Sequence, residues 1–387
     1  MGEDLIIYTP MYVTFFWAAV LLLSKKEDNR AKFFLGVFMF VAFLLYLSHA
    51  IFFNEFVTLY GFIDPLYIFC SLSVYPLYYW YIKLLTVESS YKWLNLRLLI
   101  PAFVFSLVLF VNYHIMSENE RHNYIHEFLI KGESGITFTR LMIIQKYIYF
   151  GSRLVFVIQV IYFLLKGLKL VKNYNHEIAN FYSNLESRSI LWVNFILYSL
   201  VISSMLSLIF VFIGRSFFTE YHLLLLFPSV IFSVLLFFIG LLGYMQNHTV
   251  VDLEKEVLFD DHEFTKGNDT EKLNEKLLEL FQNKAVYKNV DLKITQVSEM
   301  LHTNRTYISK HINTNFSCTF NDFVNHYRIE EAKRLLTEES TRSFSLNFIS
   351  EKSGFGSMGT FMRVFKEVVG VTPGQFRERN YEHNEII

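Results

Sequence analysis

Seven long apolar stretches in the first 245 residues constrain the fold of this 387-residue chain more than any other feature. The stretches at 33–53 and 221–245 contain no Lys, Arg, Asp or Glu. A helix needs about 20 apolar residues to cross a bilayer, and a buried soluble helix is seldom apolar on every side. The pattern predicts seven membrane-spanning helices, with six or eight as the alternatives. We place them at residues 5–23, 33–53, 62–82, 98–116, 144–165, 190–213 and 221–245.

The distribution of basic residues predicts the orientation of these helices. Eleven Lys and Arg lie in the loops after the first, third and fifth stretches, against five on the other side. Because cytoplasmic loops carry the excess of Lys and Arg, we expect the N-terminus outside and the C-terminus in the cytoplasm. The acidic leader Gly2-Glu3-Asp4 is unlike a signal peptide. The expected location is therefore the inner (cytoplasmic) cell membrane, as a multi-pass protein.

The remaining residues have a soluble composition. Residues 246–270 form an acidic connector, which we interpret as a short juxtamembrane stalk or linker. Residues 288–379 carry thirteen Lys and Arg against ten Asp and Glu. Helical periodicity and capping residues predict seven short helices between 271 and 379. Their predicted ranges are 271–284, 294–301, 305–314, 320–337, 346–353, 358–368 and a last turn from Thr372.

A short helix, a tight turn and a second helix occur twice, at about 294–314 and 346–368. This arrangement is typical of the helix-turn-helix. In the first unit Ile308 and Ile312 are expected to point inward, and in the second Phe361 and Phe365. The opposite faces carry small, polar or basic residues suited to base edges in a major groove. We predict DNA contacts from Thr306, Ser309, Lys310, Asn313, Thr360, Arg363 and Lys366, with Met358 and Gly359 also facing outward.

Residues 271–380 resemble the DNA-binding domain of the AraC/XylS transcription regulators. The most specific part is Gly354-Phe355-x-Ser357-x-x-x-Phe361-x-Arg363-x-Phe365-Lys366, followed by Gly370-x-Thr372-Pro373. The resemblance implies two helix-turn-helix units joined by the 320–337 helix and inserted into successive major grooves. The sequence departs from the family pattern at three positions. Lys293 replaces a Ser or Thr cap, Ser317 replaces a Gly, and Gly359 offers no side chain at a base-facing position.

The membrane half contains fewer chemical signals. His114, Glu118, His122 and His126 follow a spacing of four that could hold a metal, although a solvated helical loop is the simpler interpretation. Asp64, His49 and Arg153 lie within or beside spans, where ionisable residues are often functional. Asp64 and Arg153 are close enough to the span ends to reach the interface. No catalytic motif occurs, so we predict neither an enzyme nor a bound cofactor or metal.

Together these features predict an all-α chain, with a polytopic seven-helix membrane bundle followed by a cytosolic double helix-turn-helix domain. The predicted domains are a seven-helix sensor at 1–245, the connector at 246–270, and the DNA-binding domain at 271–387. The fusion resembles membrane-bound regulators of some bacteria and implies a one-component transcription regulator, in which a signal must pass through the connector. The alternative is a membrane receptor whose helical domain signals through a protein partner. Expected partners are double-stranded DNA, a lipid bilayer, a stimulus or ligand and, in a homodimer, a second copy.

Overall fold

The computed structural model describes residues 7–24, 30–86, 93–132, 137–185, 190–245 and 270–384. These residues are almost entirely helical; the single isolated β-bridge found among them joins Tyr182 and Lys293. The predicted all-α class is therefore confirmed. The chain divides into two compact units, Met1–Val171 with Leu191–Leu253, and Lys172–Ile190 with Glu254–Ile387. The predicted connector, apart from Thr270, lies outside the described residues.

The first unit is built from long apolar helices. Among the described residues, five segments are long and apolar enough to cross a membrane, and Thr9–Leu22 and Val201–Ile213 are shorter apolar helical segments. The count of seven spans stays a prediction. The helices of this unit are α1 (Thr9–Leu22), α2 (Arg30–Phe53), α3 (Val57–Thr86), α4 (Ile100–Ile115), α5 (Glu118–Asn123), α6 (Arg140–Phe181, as far as Val171), α7 (Ile190–Ile213, from Leu191), α8 (Arg215–Glu220) and α9 (Leu226–Met245).

Asp64 lies in the interior of the first unit. Its side chain is 2% exposed and accepts hydrogen bonds from the hydroxyls of Tyr60 at 2.6 Å and Tyr113 at 3.1 Å. A buried carboxylate is stabilised by such donors. These contacts give Asp64 a structural role, since they join α3 to α4.

His114, Glu118, His122 and His126 do not lie on one continuous α-helix. Helix α4 ends at Ile115, Met116 is extended (φ −60°, ψ 139°), and α5 begins after the Ser117 cap. Residues at a spacing of four therefore do not share one helical face across this break. No group of three or more His, Cys, Asp or Glu among the described residues is placed to hold a metal.

The second unit contains seven α-helices of its own in its described C-terminal part. Six of them agree with the predicted ranges to within two residues, and the predicted last turn is a full helix. They are α10 (Thr270–Gln282), α11 (Ile294–Met300), α12 (Arg305–Asn315), α13 (Phe320–Thr337), α14 (Leu346–Lys352), α15 (Met358–Val369) and α16 (Pro373–Asn384).

Candidate nucleic-acid interface

The first helix-turn-helix unit consists of α11 and α12. The side chain of Asn304 accepts a hydrogen bond from the Thr306 backbone N–H at 2.7 Å and caps α12. Ile308 and Ile312 are fully buried, as predicted from their spacing. Thr306 and Lys310 are exposed, and Ser309 and Asn313 are half-buried on the same outer face. The structure therefore leaves all four predicted contact residues of this unit at least partly accessible.

The second helix-turn-helix unit consists of α14 and α15. Ser357 caps α15 by accepting a hydrogen bond from the Thr360 backbone N–H at 3.2 Å. Phe361 and Phe365 are fully buried, again as predicted. The predicted contact residues Arg363 and Lys366 are exposed, as is Gly359, whereas Thr360 is half-buried.

Met358 differs from its prediction. Its side chain packs against the core formed by Ile349, Phe361 and neighbouring residues instead of lying on the outer face. Met358 is the first residue of α15, where the chain turns in from α14, so an apolar side chain there can reach the core between the two helices.

Arg363 is held only weakly by its own helix. One guanidinium nitrogen lies 3.4 Å from the Glu367 carboxylate, and both side chains are about two-thirds exposed. Exposed ion pairs of this kind contribute about 0–1 kcal/mol. The guanidinium can therefore exchange Glu367 for the two acceptors of a guanine at little cost.

Arg328 on α13 connects several parts of the second unit. Its side chain is 1% exposed, and its Nε donates to the carbonyl of Tyr287 at 2.9 Å. Its Nη2 donates to the carbonyls of Asn289 at 2.8 Å and Val290 at 3.2 Å. Burial lowers the pKa of Arg328 to about 10, which leaves it charged at neutral pH. The buried charge is compensated by carbonyl oxygens.

Phe181–Ser183, the last residue of α6 and the two that follow it, contact this same region within the second unit. The backbone N–H of Ser183 donates to Leu292 at 3.0 Å. The Ser183 carbonyl accepts from Arg328 Nη1 at 3.1 Å and from Asn321 Nδ2 at 2.8 Å. The guanidinium carbon of Arg305, the first residue of α12, lies 5.6 Å from the ring centroid of Phe181.

This docking segment was not predicted from the sequence, and the passage of a signal through 246–270 stays a prediction. The residues that it contacts are about 110 to 145 positions later in the chain. A local sequence pattern therefore cannot predict these contacts. The sequence feature that marks this segment is the aromatic pair Phe181-Tyr182, at the end of a polar stretch. Both of these side chains are buried.

His311 on α12 makes two polar contacts, one with α10 and one within its own helix. Its Nε2 lies 3.2 Å from Asn274 Oδ1, and Asn315 Nδ2 lies 2.9 Å from its Nδ1. The neutral ring with its proton on Nε2 satisfies both contacts, as donor to Asn274 and as acceptor from Asn315. Burial lowers the pKa of His311. The inner face of the first recognition helix therefore favours the neutral imidazole.

Gly354 makes the turn between α14 and α15 possible. Its φ is +88°, and a Cβ atom there would lie 2.6 Å from the Tyr287 carbonyl oxygen and 2.8 Å from Lys288 Cα. Both the left-handed backbone and the close approach exclude a side chain. This turn packs on the same backbone stretch that Arg328 binds, which positions the two helix-turn-helix units against each other.

Comparison with known proteins identifies the fold of this region. Residues 297–379 match a family model described as a helix-turn-helix domain. The uncharacterized HTH-type transcriptional regulator YtdP of Bacillus subtilis is 29% identical over 89 residues, covering 23% of this chain and 11% of that protein. An uncharacterized HTH-type transcriptional regulator of Staphylococcus aureus strain COL is 32% identical over 87 residues, covering 22% and 11%.

Two solved structures also resemble this part of the chain. The C-terminal domain of AraT, a response regulator from Geobacillus stearothermophilus, has a TM-score of 0.25 and 23% identity over 30% of this chain and 88% of that one. The C-terminal domain of the response regulator yesN from Fusobacterium nucleatum has a TM-score of 0.24 and 26% identity. The chain spans only about a tenth of the length of the two curated relatives above.

Proposed function

Since the C-terminal part of the chain is an AraC-type helix-turn-helix domain, we propose that the whole protein is a membrane-bound one-component transcription regulator. Residues 1–245 would form the sensor, 246–270 the connector and 271–387 the DNA-binding domain, with the N-terminus outside and the C-terminus in the cytoplasm. The observation that carries the proposal is the paired geometry of α12 and α15. Each buries its apolar face and leaves polar or basic residues outward.

The predicted contact residues fall into two roles on DNA. Arg363, with a planar fork and a weak ion pair, is suited to read a guanine in the major groove. Lys310 and Lys366, exposed at the outer faces, are suited to phosphate or base acceptors. Thr306, Ser309, Asn313 and Thr360 are short or medium hydrogen-bonding side chains that would adjust register and discriminate single base pairs.

The docking segment supports a route from the sensor to DNA. Phe181 is the last residue of α6, whose residues as far as Val171 belong to the first unit, and it contacts the first residue of α12. A stimulus that moved α6 would strengthen or weaken these contacts. Allosteric coupling typically amounts to about 1–3 kcal/mol, and two or three hydrogen bonds of about 1 kcal/mol each are enough to supply it.

Enrichment of genomic DNA tests the proposal. Purified residues 265–387 would be incubated with fragmented DNA from the source organism at two salt concentrations, and the retained DNA would be sequenced. We expect one enriched motif, weaker at high salt. Arg363→Ala should reduce affinity for that motif by about 5- to 150-fold, the loss of one bidentate base contact, while non-specific binding changes little.

Lys333→Ala is the matched control, because Lys333 lies on α13 and pairs with Glu330 at 2.7 Å. It removes the same charge away from the recognition helices and should leave the motif unchanged. A folded domain that enriches no motif, also when fused to a dimerising segment, would contradict the proposal. The result would then favour the receptor whose helical domain binds a protein.

A further inference from the structure

A cavity of about 250 Å³ lies within the first unit. It is lined by residues of α1, α2, α3, α6, α7, α8 and α9. Small-molecule sites commonly have volumes of about 300–1,000 Å³ and are mostly apolar with a few polar groups. The volume is close to the lower end of that range, so the cavity is of a size to hold a small molecule.

The wall of the cavity combines aromatic rings with hydroxyl groups. Tyr75 on α3 donates a hydrogen bond to Ser207 on α7 at 2.9 Å, and both residues line the cavity. The ring of Tyr67 packs 5.2 Å from that of His49. These contacts join helices across the cavity, so the wall is formed before any ligand enters. Aromatic walls favour a flat or chain-like apolar ligand body.

The Arg and His residues that line the cavity are not balanced by acidic residues among those that the structure describes. In the described part of the chain, Arg153 and His49 line the cavity, and no Asp, Glu or Lys does. The guanidinium of Arg153 lies 4.6 Å from the ring centroid of Tyr149, and no carboxylate among the described residues forms an ion pair with it. A cation in apolar surroundings is costly unless an anion compensates it.

Arg153 is far from the start of its helix. It is the fourteenth residue of α6, which places it about 20 Å along the helix axis at 1.5 Å per residue. Ionisable residues within or beside a membrane span often mark ligand or ion sites. One guanidinium matches one carboxylate by two parallel hydrogen bonds.

We propose that this cavity binds a small amphipathic carboxylate, with the carboxylate on Arg153 and the apolar body against the aromatic wall. The inference rests on the proposed function, because such a molecule would be the stimulus of the regulator. A single permanent cation suits a monoanion better than a doubly charged phosphate. The binding itself requires no DNA, so it is measurable whether or not the DNA proposal holds.

Ligand binding to the full chain in phosphatidylcholine nanodiscs tests this inference. The probes are 4-phenylbutanoate and decanoate, each paired with its neutral amide, and the readout is equilibrium dialysis. We expect each carboxylate to bind at least about tenfold more tightly than its amide. Arg153→Gln should reduce that ratio to about one, and Arg153→Lys should retain part of it because it keeps the charge.

Lys146→Gln is the matched control on the same helix. Lys146 lies over the rings of Phe128 and Phe138, at 5.3 Å and 4.7 Å, and does not line the cavity. Its loss should leave the ratio unchanged. Ala42→Leu, which fills part of the cavity, should weaken the carboxylate and the amide alike.

Several results would overturn the inference. The inference is wrong if the unaltered chain binds neither carboxylate. It is also wrong if the unaltered chain binds each carboxylate and its amide equally tightly. A carboxylate preference that survives Arg153→Gln would place the anion elsewhere. Displacement of the probes by phosphatidylglycerol in the nanodisc would make an anionic lipid the occupant. None of these results changes the DNA enrichment, so the two proposals fail separately.

Discussion

Gly354→Ala should be far more destabilising than the same change at Gly370. Both glycines have a left-handed backbone, with φ of +88° and +85°. At Gly370 an added Cβ meets nothing within 4 Å, whereas at Gly354 it lies 2.6 Å from the Tyr287 oxygen. The left-handed conformation costs an L-residue about 1–2 kcal/mol, and overpacking against backbone adds about 1–3 kcal/mol.

We therefore expect Gly354→Ala to lower the free energy of unfolding by about 2–5 kcal/mol and Gly370→Ala by about 1–2 kcal/mol. Urea unfolding of residues 265–387, followed by circular dichroism, measures both. With a slope of about 2 kcal/mol/M, the larger change lowers the midpoint by about 1–2.5 M. Equal costs at the two positions would refute the reasoning, because they differ only in the close approach to 287–288.

Three further predictions concern the second unit. Ser317 has φ +53°, so Ser317→Gly should raise the free energy of unfolding by up to about 1 kcal/mol; an unchanged or lower urea midpoint would contradict this. The pKa of His311 is lowered by burial, so the unfolded chain binds more protons and stability should fall as pH drops below about 6.5. His311→Asn should flatten this pH dependence, and an equal slope would show that another group causes it. In the full chain, Ser183→Pro removes the N–H donor to Leu292 and should accelerate hydrogen exchange in 286–292 by about 5- to 12-fold; Ser183→Ala should have a smaller effect, and unchanged exchange would argue against docking.

The helices of the DNA-binding domain were predictable because their signals are local. Asn304, Thr319 and Ser357 each cap a helix by a hydrogen bond to a backbone N–H two or three residues ahead. The buried pairs at 308 and 312, and at 361 and 365, follow the helical period. Capping and periodicity act within a few residues, so a sequence alone displays them.

The missed features depend on residues far apart in sequence. Arg328 carried no distinguishing signal, because its buried carbonyl partners are about 40 to 145 positions away. The cavity is likewise formed by helices from both ends of the first unit. In contrast, the possible metal ladder at 114–126 depended on one continuous helix, and the backbone leaves the helix at Met116.

The hydrogen bond between Ser183 and Leu292 also limits how many times the chain between them can cross a membrane. Two groups that share a backbone hydrogen bond must lie on the same side of any bilayer. The segment between them must therefore cross an even number of times, and its described residues contain two long apolar helices, α7 and α9. A single added or deleted crossing in that interval would separate the two groups by a whole membrane. Reporter fusions after 185 and 245 show how many times the chain crosses the membrane in this interval. They therefore test the 3.0 Å hydrogen bond between Ser183 and Leu292 by a measurement made elsewhere in the chain.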